Sequence, residues 1–233
     1  HRPLITCIVA IVLVFNSGSG AEAGHRKSLF NGQNLDGWIV TDCEAEVRDG
    51  VLLAKSGNGL IRTDARYGDF VLELKWRALK KEKWDAGIYF RFNELPKKGP
   101  WPARYQANLL QGKEGNVNGL PTAQSSGLVK AGEWNSLELR VTGETASLKM
   151  NDQPAWKSGG LKESTGFIGL QVEVPGGGQF EFKDIYVTEL GHETLFNSTD
   201  LSGWTSGGET PAGKPQSWAV EEGLLVCTGK KGT

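Results

Sequence analysis

Histidine is nearly absent from this chain: His1, His25 and His192 are the three, and none lies on a segment with strand periodicity. That scarcity excludes a buried histidine dyad or a histidine-rich zinc centre within the folded part, since both need imidazoles converging from neighbouring elements. It also leaves no Ser-His-Asp set and no Cys-His pair to assemble. Cysteine is equally sparse, at three residues. Cys7 falls in an apolar leader, so only Cys43 and Cys227 remain, too few for a disulfide framework. Two free thiols are expected, with a bond between them as the alternative in an exporting compartment. A basic excess is missing as well: the net charge is -1 and the pI about 6.4. Nucleic acid therefore finds no electrostatic footprint. No apolar run reaches the roughly 20 residues needed to cross a bilayer. Helical periodicity is lacking from Leu29 to Leu190.

Glycine, at 32 residues, and tryptophan, at 8, are what the chain has in quantity. Gly-rich turns joining aromatic-rich segments suit a β-rich fold. At the start, Leu4 to Phe15 is mostly apolar, and Ala21-Glu22-Ala23 follows as a small-x-small cleavage signature. Residues 1–23 are read as a signal peptide, which predicts an exported protein, periplasmic or extracellular. A second observation concerns repetition. Leu29 to Trp38 reads LFNGQNLDGW and Leu195 to Trp204 reads LFNSTDLSGW, identical at six of ten positions and 166 residues apart. The likeness continues past the tryptophans, where Val47-Arg48-Asp49-Gly50-Val51-Leu52 is matched by Val220-Glu221-Glu222-Gly223-Leu224-Leu225. A spacing of this size is that of a domain rather than a solenoid repeat. We therefore expect one sandwich over residues 28–190 and the start of a similar second domain over residues 194–233.

Alternation is the dominant pattern in the first of these. Phe70, Leu72, Leu74 and Trp76 alternate with Glu73, Lys75 and Arg77; Leu137, Leu139 and Val141 with Glu138 and Arg140; Ile168, Leu170 and Val172 with Gly169, Gln171 and Glu173. Asn151-Asp152 and Pro175-Gly176-Gly177-Gly178 supply turns between such segments. Strands at this spacing predict an all-β fold, an antiparallel β-sandwich of jelly-roll, concanavalin A-like type.

The polar faces of those strands differ. Glu73, Lys75, Arg77, Glu138 and Arg140 make a charged, solvated face. Tyr89, Arg91, Gln106, Asn108, Gln171 and Glu173 instead combine amides, a phenol and single charges. Amides and a phenol over an apolar platform suit sugar hydroxyls, which need paired donors and acceptors. An ordinary polar sheet surface is the alternative.

Several motifs resemble the 3-keto-disaccharide hydrolase family: LFNGQNLDGW, Gly68-Asp69-Phe70, Ala86-Gly87-Ile88-Tyr89-Phe90-Arg91, Gly132-Glu133-Trp134-Asn135, Gly166-Phe167-Ile168-Gly169-Leu170-Gln171 and Phe182-Lys183-Asp184-Ile185. The resemblance implies an exported hydrolase or lyase whose partner is a carbohydrate already oxidised at C3. A C3 ketone acidifies the C2 proton, so a modest base removes it and the C1 substituent leaves; water then adds back. Such a site needs a base, a donor to the enolate oxygen and an acid for the leaving group. On this reading Glu173 is the base, Arg91 stabilises the enolate, and Tyr105 or Tyr89 donates to the leaving oxygen or stacks on the ring. Tyr89, Gln106, Asn108 and Gln171 bind substrate. The structural alternatives are a Glu173–Arg91 ion pair across the sheet and a core Tyr105.

The chain departs from the family where a Tyr-Glu-Val-Gln-Ile-x-Asp strand is common. Here that strand is Tyr105-Gln106-Ala107-Asn108-Leu109-Leu110-Gln111, with both carboxylates replaced by amides. Those amides favour a second reading, a non-catalytic carbohydrate-binding module, and the tandem arrangement a third, an interaction domain. No cofactor is implied. A divalent metal such as calcium could take oxygen ligands from Asp36, Asp69 or loop carbonyls, but no spacing demands one.

Overall fold

The computed structural model describes residues 25–94, 99–191, 196–202, 204 and 218–227. The expected signal peptide lies outside the described residues, as do Lys97, Lys98 and His192.

The alternating segments form antiparallel strands. The back sheet runs β10 (Gln153–Gly159), β9 (Thr145–Met150), β8 (Asn135–Thr142), β4 (Phe70–Ala78) and β12 (Phe180–Glu189), with β1 (His25–Ser28) beyond β12. The front sheet runs β2 (Trp38–Arg48), β3 (Val51–Thr63), β11 (Phe167–Glu173), β5 (Gly87–Phe92), β6 (Gln106–Asn108) and β7 (Val117–Asn118). The two are one curled sheet. Phe180 to Phe182 of β12 pair with β3, while the other end of β12 pairs with β1, so β12 carries the ladder from one layer to the other. This is the all-β, antiparallel jelly-roll architecture that the alternation predicts.

The apolar side of each strand meets the other layer. Leu72, Leu74 and Trp76 of β4 and Leu137, Leu139 and Val141 of β8 share one core with Ile88 and Phe90 of β5 and Ile168, Leu170 and Val172 of β11. Trp76 stacks on Phe180 at 6.0 Å between centroids. Each such buried side chain stabilises the fold by about 1.5–3 kcal/mol. The outer face of the back sheet contributes much less. Arg26–Glu73, Lys75–Asp184 and Lys149–Glu138 pair at 2.9–3.0 Å with side chains 38–50% exposed, where an ion pair adds about 0–1 kcal/mol. A hollow of about 410 Å³ on that face is lined by these same residues. Three of its four carboxylates are taken up by the three cations in these pairs.

Turn chemistry fixes the hairpins. Asp49-Gly50 and Asn151-Asp152 all take positive φ, as two-residue hairpin loops require. Pro175 to Gly178, read above as a plain turn, includes a single helical turn, α1 (Val174–Gly177). His25, read above as lying off any strand, begins β1 and is exposed there. Cys43 and Cys227 are both free thiols.

The repeated decamer takes one local form twice. The Asn31 side-chain oxygen accepts from the backbone of Gln33 and Asn34, Asn34 accepts from Asp36, and Trp38 N donates to Leu35 O. Asn197 accepts from Thr199 and Asp200, Asp200 accepts from Ser202, and Trp204 N donates to Leu201 O. Further on, Glu222-Gly223 reproduces the positive-φ pair of Asp49-Gly50. It joins β13 (Trp218–Glu221) to β14 (Leu224–Cys227), which pair with each other in a separate two-stranded sheet.

Candidate functional site: the amide face of the front sheet

Parity puts Ile168, Leu170 and Val172 in the core, and so turns Phe167, Gly169, Gln171 and Glu173 outward on β11. The ladder sets their neighbours. One row across the sheet reads Ile39, Arg62, Gly169, Tyr89, Gln106 and Asn118. In the next, Gln171 lies beside Leu60, and Gly87 beside Asn108. Glu173 comes last, opposite Asn58.

Side chains then close the gaps between strands. Gly87 leaves room for the Gln106 side chain to lie across β5; a Cβ there would stand 2.3 Å from Gln106 Nε2. Gln106 Nε2 consequently donates to Gln171 Oε1, and Gln171 Nε2 donates to Glu173 Oε2 at 2.8 Å. The result is a string of amides ending on a half-buried carboxylate.

Electrostatics at that end favour proton traffic. Burial raises the Glu173 carboxyl above its ordinary value, the charge of Asp85 raises it further, and the Gln171 hydrogen bond lowers it. Asp85 is itself raised by burial. It is held from behind, its N–H donating to Gly177 O at 3.1 Å, where Gly177 packs so closely that a Cβ would overlap Asp85 O. Burial, with Asp85 and Glu173 in support, pushes the Tyr89 phenol upward, so it stays a neutral donor. At the other end of β11 lies an apolar platform. Tyr89 and Phe92 meet edge-to-face at 6.1 Å, Phe92 and Phe167 lie 5.7 Å apart, and Leu60 and Trp101 complete the cluster. Trp101 is anchored by its Nε1 donating to Gly59 O at 3.0 Å.

Of the seven residues expected at this face, the structure gathers Tyr89, Gln106, Gln171 and Glu173. Asn108 stands on the face, but its Oδ1 accepts from Leu110 N at 2.6 Å and serves the following turn. Arg91 is a correction. The β5–β11 register slips between Phe167 and Ile168, leaving Arg91 as an extra residue at φ 50°. Its guanidinium turns away, buried to 1% exposure, to bond Gly68 O, Gly143 O, Glu163 O and Asp69. Its carboxylate partner is Asp69, not Glu173, so it ties loops together. Tyr105 is the other correction. It stacks on Phe90 in the core at 5.7 Å, and its hydroxyl accepts from Lys162 N. Strand parity misses Asp85 and Arg62, because Asp85 precedes its strand and Arg62 belongs to a strand whose polar residues carry no face signature. Among the described residues no group of three or more His, Cys, Asp or Glu is placed to hold a metal ion.

Residues 25–188 match the family described as the 3-keto-alpha-glucoside-1,2-lyase-like domain. The chain belongs to that family. Family membership and fold make it a carbohydrate-related jelly-roll protein. No curated protein matches the chain. Among solved structures, a Parabacteroides distasonis protein named as a glycosyl hydrolase is similar at 17% identity and TM-score 0.60, over 72% of this chain and 94% of that one. The carbohydrate-binding module CBM66 from Bacillus subtilis aligns at 18% identity and TM-score 0.53, over 66% and 96%. A Bacillus subtilis protein of galectin-like fold gives 10% and 0.51, over 71% and 94%. At these identities the likeness is one of fold.

Proposed function

We propose that this family member is an exported glycoside-processing protein that acts on 3-keto-glycosides at the amide face. One observation carries the reading: the Gln106–Gln171–Glu173 string ends on a half-buried carboxylate electrostatically coupled to Asp85, with the neutral phenol of Tyr89 close to both. The sugar stacks on the platform while the amides exchange hydrogen bonds with its hydroxyls. Glu173 takes the C2 proton, and the C2–H electron pair moves into an enolate whose O3 accepts a hydrogen bond from the Tyr89 hydroxyl. As C3=O re-forms, the C1–O bond breaks and C1=C2 forms. Asp85, whose carboxyl burial raises above its ordinary value, supplies the proton to the departing oxygen. Water adding across C1=C2 completes net hydrolysis.

The measurement is formation of the ultraviolet-absorbing enone, or of free keto-glucose, from 3-keto-lactose or 3-keto-trehalose. Glu173→Gln is expected to lower turnover by about 10²–10⁴-fold with little change in sugar affinity. Undiminished turnover by this variant would remove Glu173 as the base. The second reading, a binding module without catalysis, is favoured by Gln106 and Gln111 standing where the family often carries carboxylates. Gln111 caps a loop by accepting from Lys83 N. Sugar binding by the unmodified chain with no turnover would establish that reading instead.

A further inference from the structure

We propose that the glycoside taken by this face is anionic, its acidic group docking on Arg62 and Arg66 at the end of the platform remote from Glu173. The inference rests on the saccharide reading of the same face. Both guanidiniums lie against one ring: Arg62 is 4.3 Å from the Phe167 centroid and Arg66 4.9 Å. Arg26, Arg77, Arg91 and Arg104 each reach a carboxylate, whereas Arg62 and Arg66 form no ion pair among the described residues. Arg62 spends one donor, Nη1 to Thr63 O at 2.9 Å, and its Nε is buried with no partner.

Stacking on one ring leaves most of the donors of a guanidinium unspent. An oxyanion presented by the ligand can accept instead from the remaining Nη donors of Arg62 and from the Arg66 guanidinium, in the fork geometry for which arginine is suited. Placement agrees. Arg62 shares its row with Gly169, Tyr89 and Gln106. A Cβ at Gly169 would meet Leu60 and Phe92 at 3.1 Å, so that position gives the floor between Arg62 and Tyr89 no upward projection. From Phe167 to Glu173 the strand advances six residues, about 20 Å, enough for several sugar rings. The anion thus sits on a unit other than the one held at Glu173, as a uronate carboxylate or a sulfate ester would.

Calorimetric titration of the full chain with cellobiose, cellobiouronic acid and a 6-O-sulfated cellobiose tests this. At low salt the better acidic sugar should bind at least about tenfold more tightly than cellobiose, with the advantage shrinking as salt rises. The carboxylate and sulfate arms show which anion is meant. Arg62→Gln should abolish the advantage of the acidic sugar over cellobiose, and Arg62→Lys should keep part of it. Equal affinity for neutral and acidic sugars in the unmodified chain overturns the proposal whatever the variants do, and leaves the saccharide reading intact. A preference that survives in Arg62→Gln also overturns it. Failure of every sugar to bind overturns this proposal, while the 3-keto-glycoside reading stands or falls on the turnover measurement.

Discussion

Glu173 and Asp85 raise one another's cost of ionisation, and that coupling has a measurable sign. A general base works only when ionised, so the acidic limb of kcat/KM falls as pH drops through the raised value of Glu173. Asp85→Asn removes the second cause of that rise and leaves burial, the first. The limb should therefore move to lower pH, while the plateau falls because the leaving-group acid is gone; a limb that stays in place would show the two carboxyls to be uncoupled. Stability has the opposite sense. A carboxyl raised in the folded state contributes stability that is present below its ordinary 4.5 and lost as pH rises through the folded value. Residue identity at this face was legible wherever alternation runs unbroken, as at Gln171 and Glu173. It was not legible at Arg91, because a single inserted residue with φ 50° reverses parity and sends Phe92, not Arg91, to the platform. Nothing in Ile88-Tyr89-Phe90-Arg91-Phe92 announces that slip.

Strands and turns were the most readable level. The predicted segments match β4, β8 and β11 to within a residue or two, because period-2 alternation is enforced by a core on one side and water on the other. The decamer turn is written in its own asparagines, which is why Asn31 and Asn197 bond alike although Trp38 is buried and Trp204 is 46% exposed. Close approaches between elements were invisible, since a glycine in sequence does not say what crosses it. Two substitutions separate these roles. Gly87→Ala meets the Gln106 side chain from Nε2 to Cγ at 2.3–2.8 Å, with no backbone among its three nearest atoms, so the fold should persist while the amide string breaks, weakening sugar binding by about tenfold. Gly166→Ala meets the backbone of Arg91 and Phe92 at 2.3–2.6 Å and should lower soluble yield and melting temperature. Unaltered sugar affinity in Gly87→Ala would detach the Gln106 amide from recognition.

Sheet order was legible only as a class. The placement of β12 between β4 and β3 joins segments more than a hundred residues apart, and local periodicity carries no information about such partners. The end of the chain raises a different question at this scale. Among the described residues β13 and β14 pair only with each other, and Trp218 and Leu224 are 48% and 66% exposed. A lone two-stranded hairpin is marginal in water. We propose that the β13–β14 hairpin belongs to a unit separate from the first sandwich. Shortening the chain to residues 25–190 should shift its melting temperature by no more than about 2 °C; a much larger drop would assign the hairpin to the first sandwich. One further consequence follows from the distribution of charge over the front sheet, with carboxyls past one edge of the aromatic floor and guanidiniums at the other. An oligosaccharide has distinguishable reducing and non-reducing termini. On the proposed reading, an acidic oligosaccharide turned end for end would bring its anion to the carboxyls, so the surface would read chain direction as well as composition.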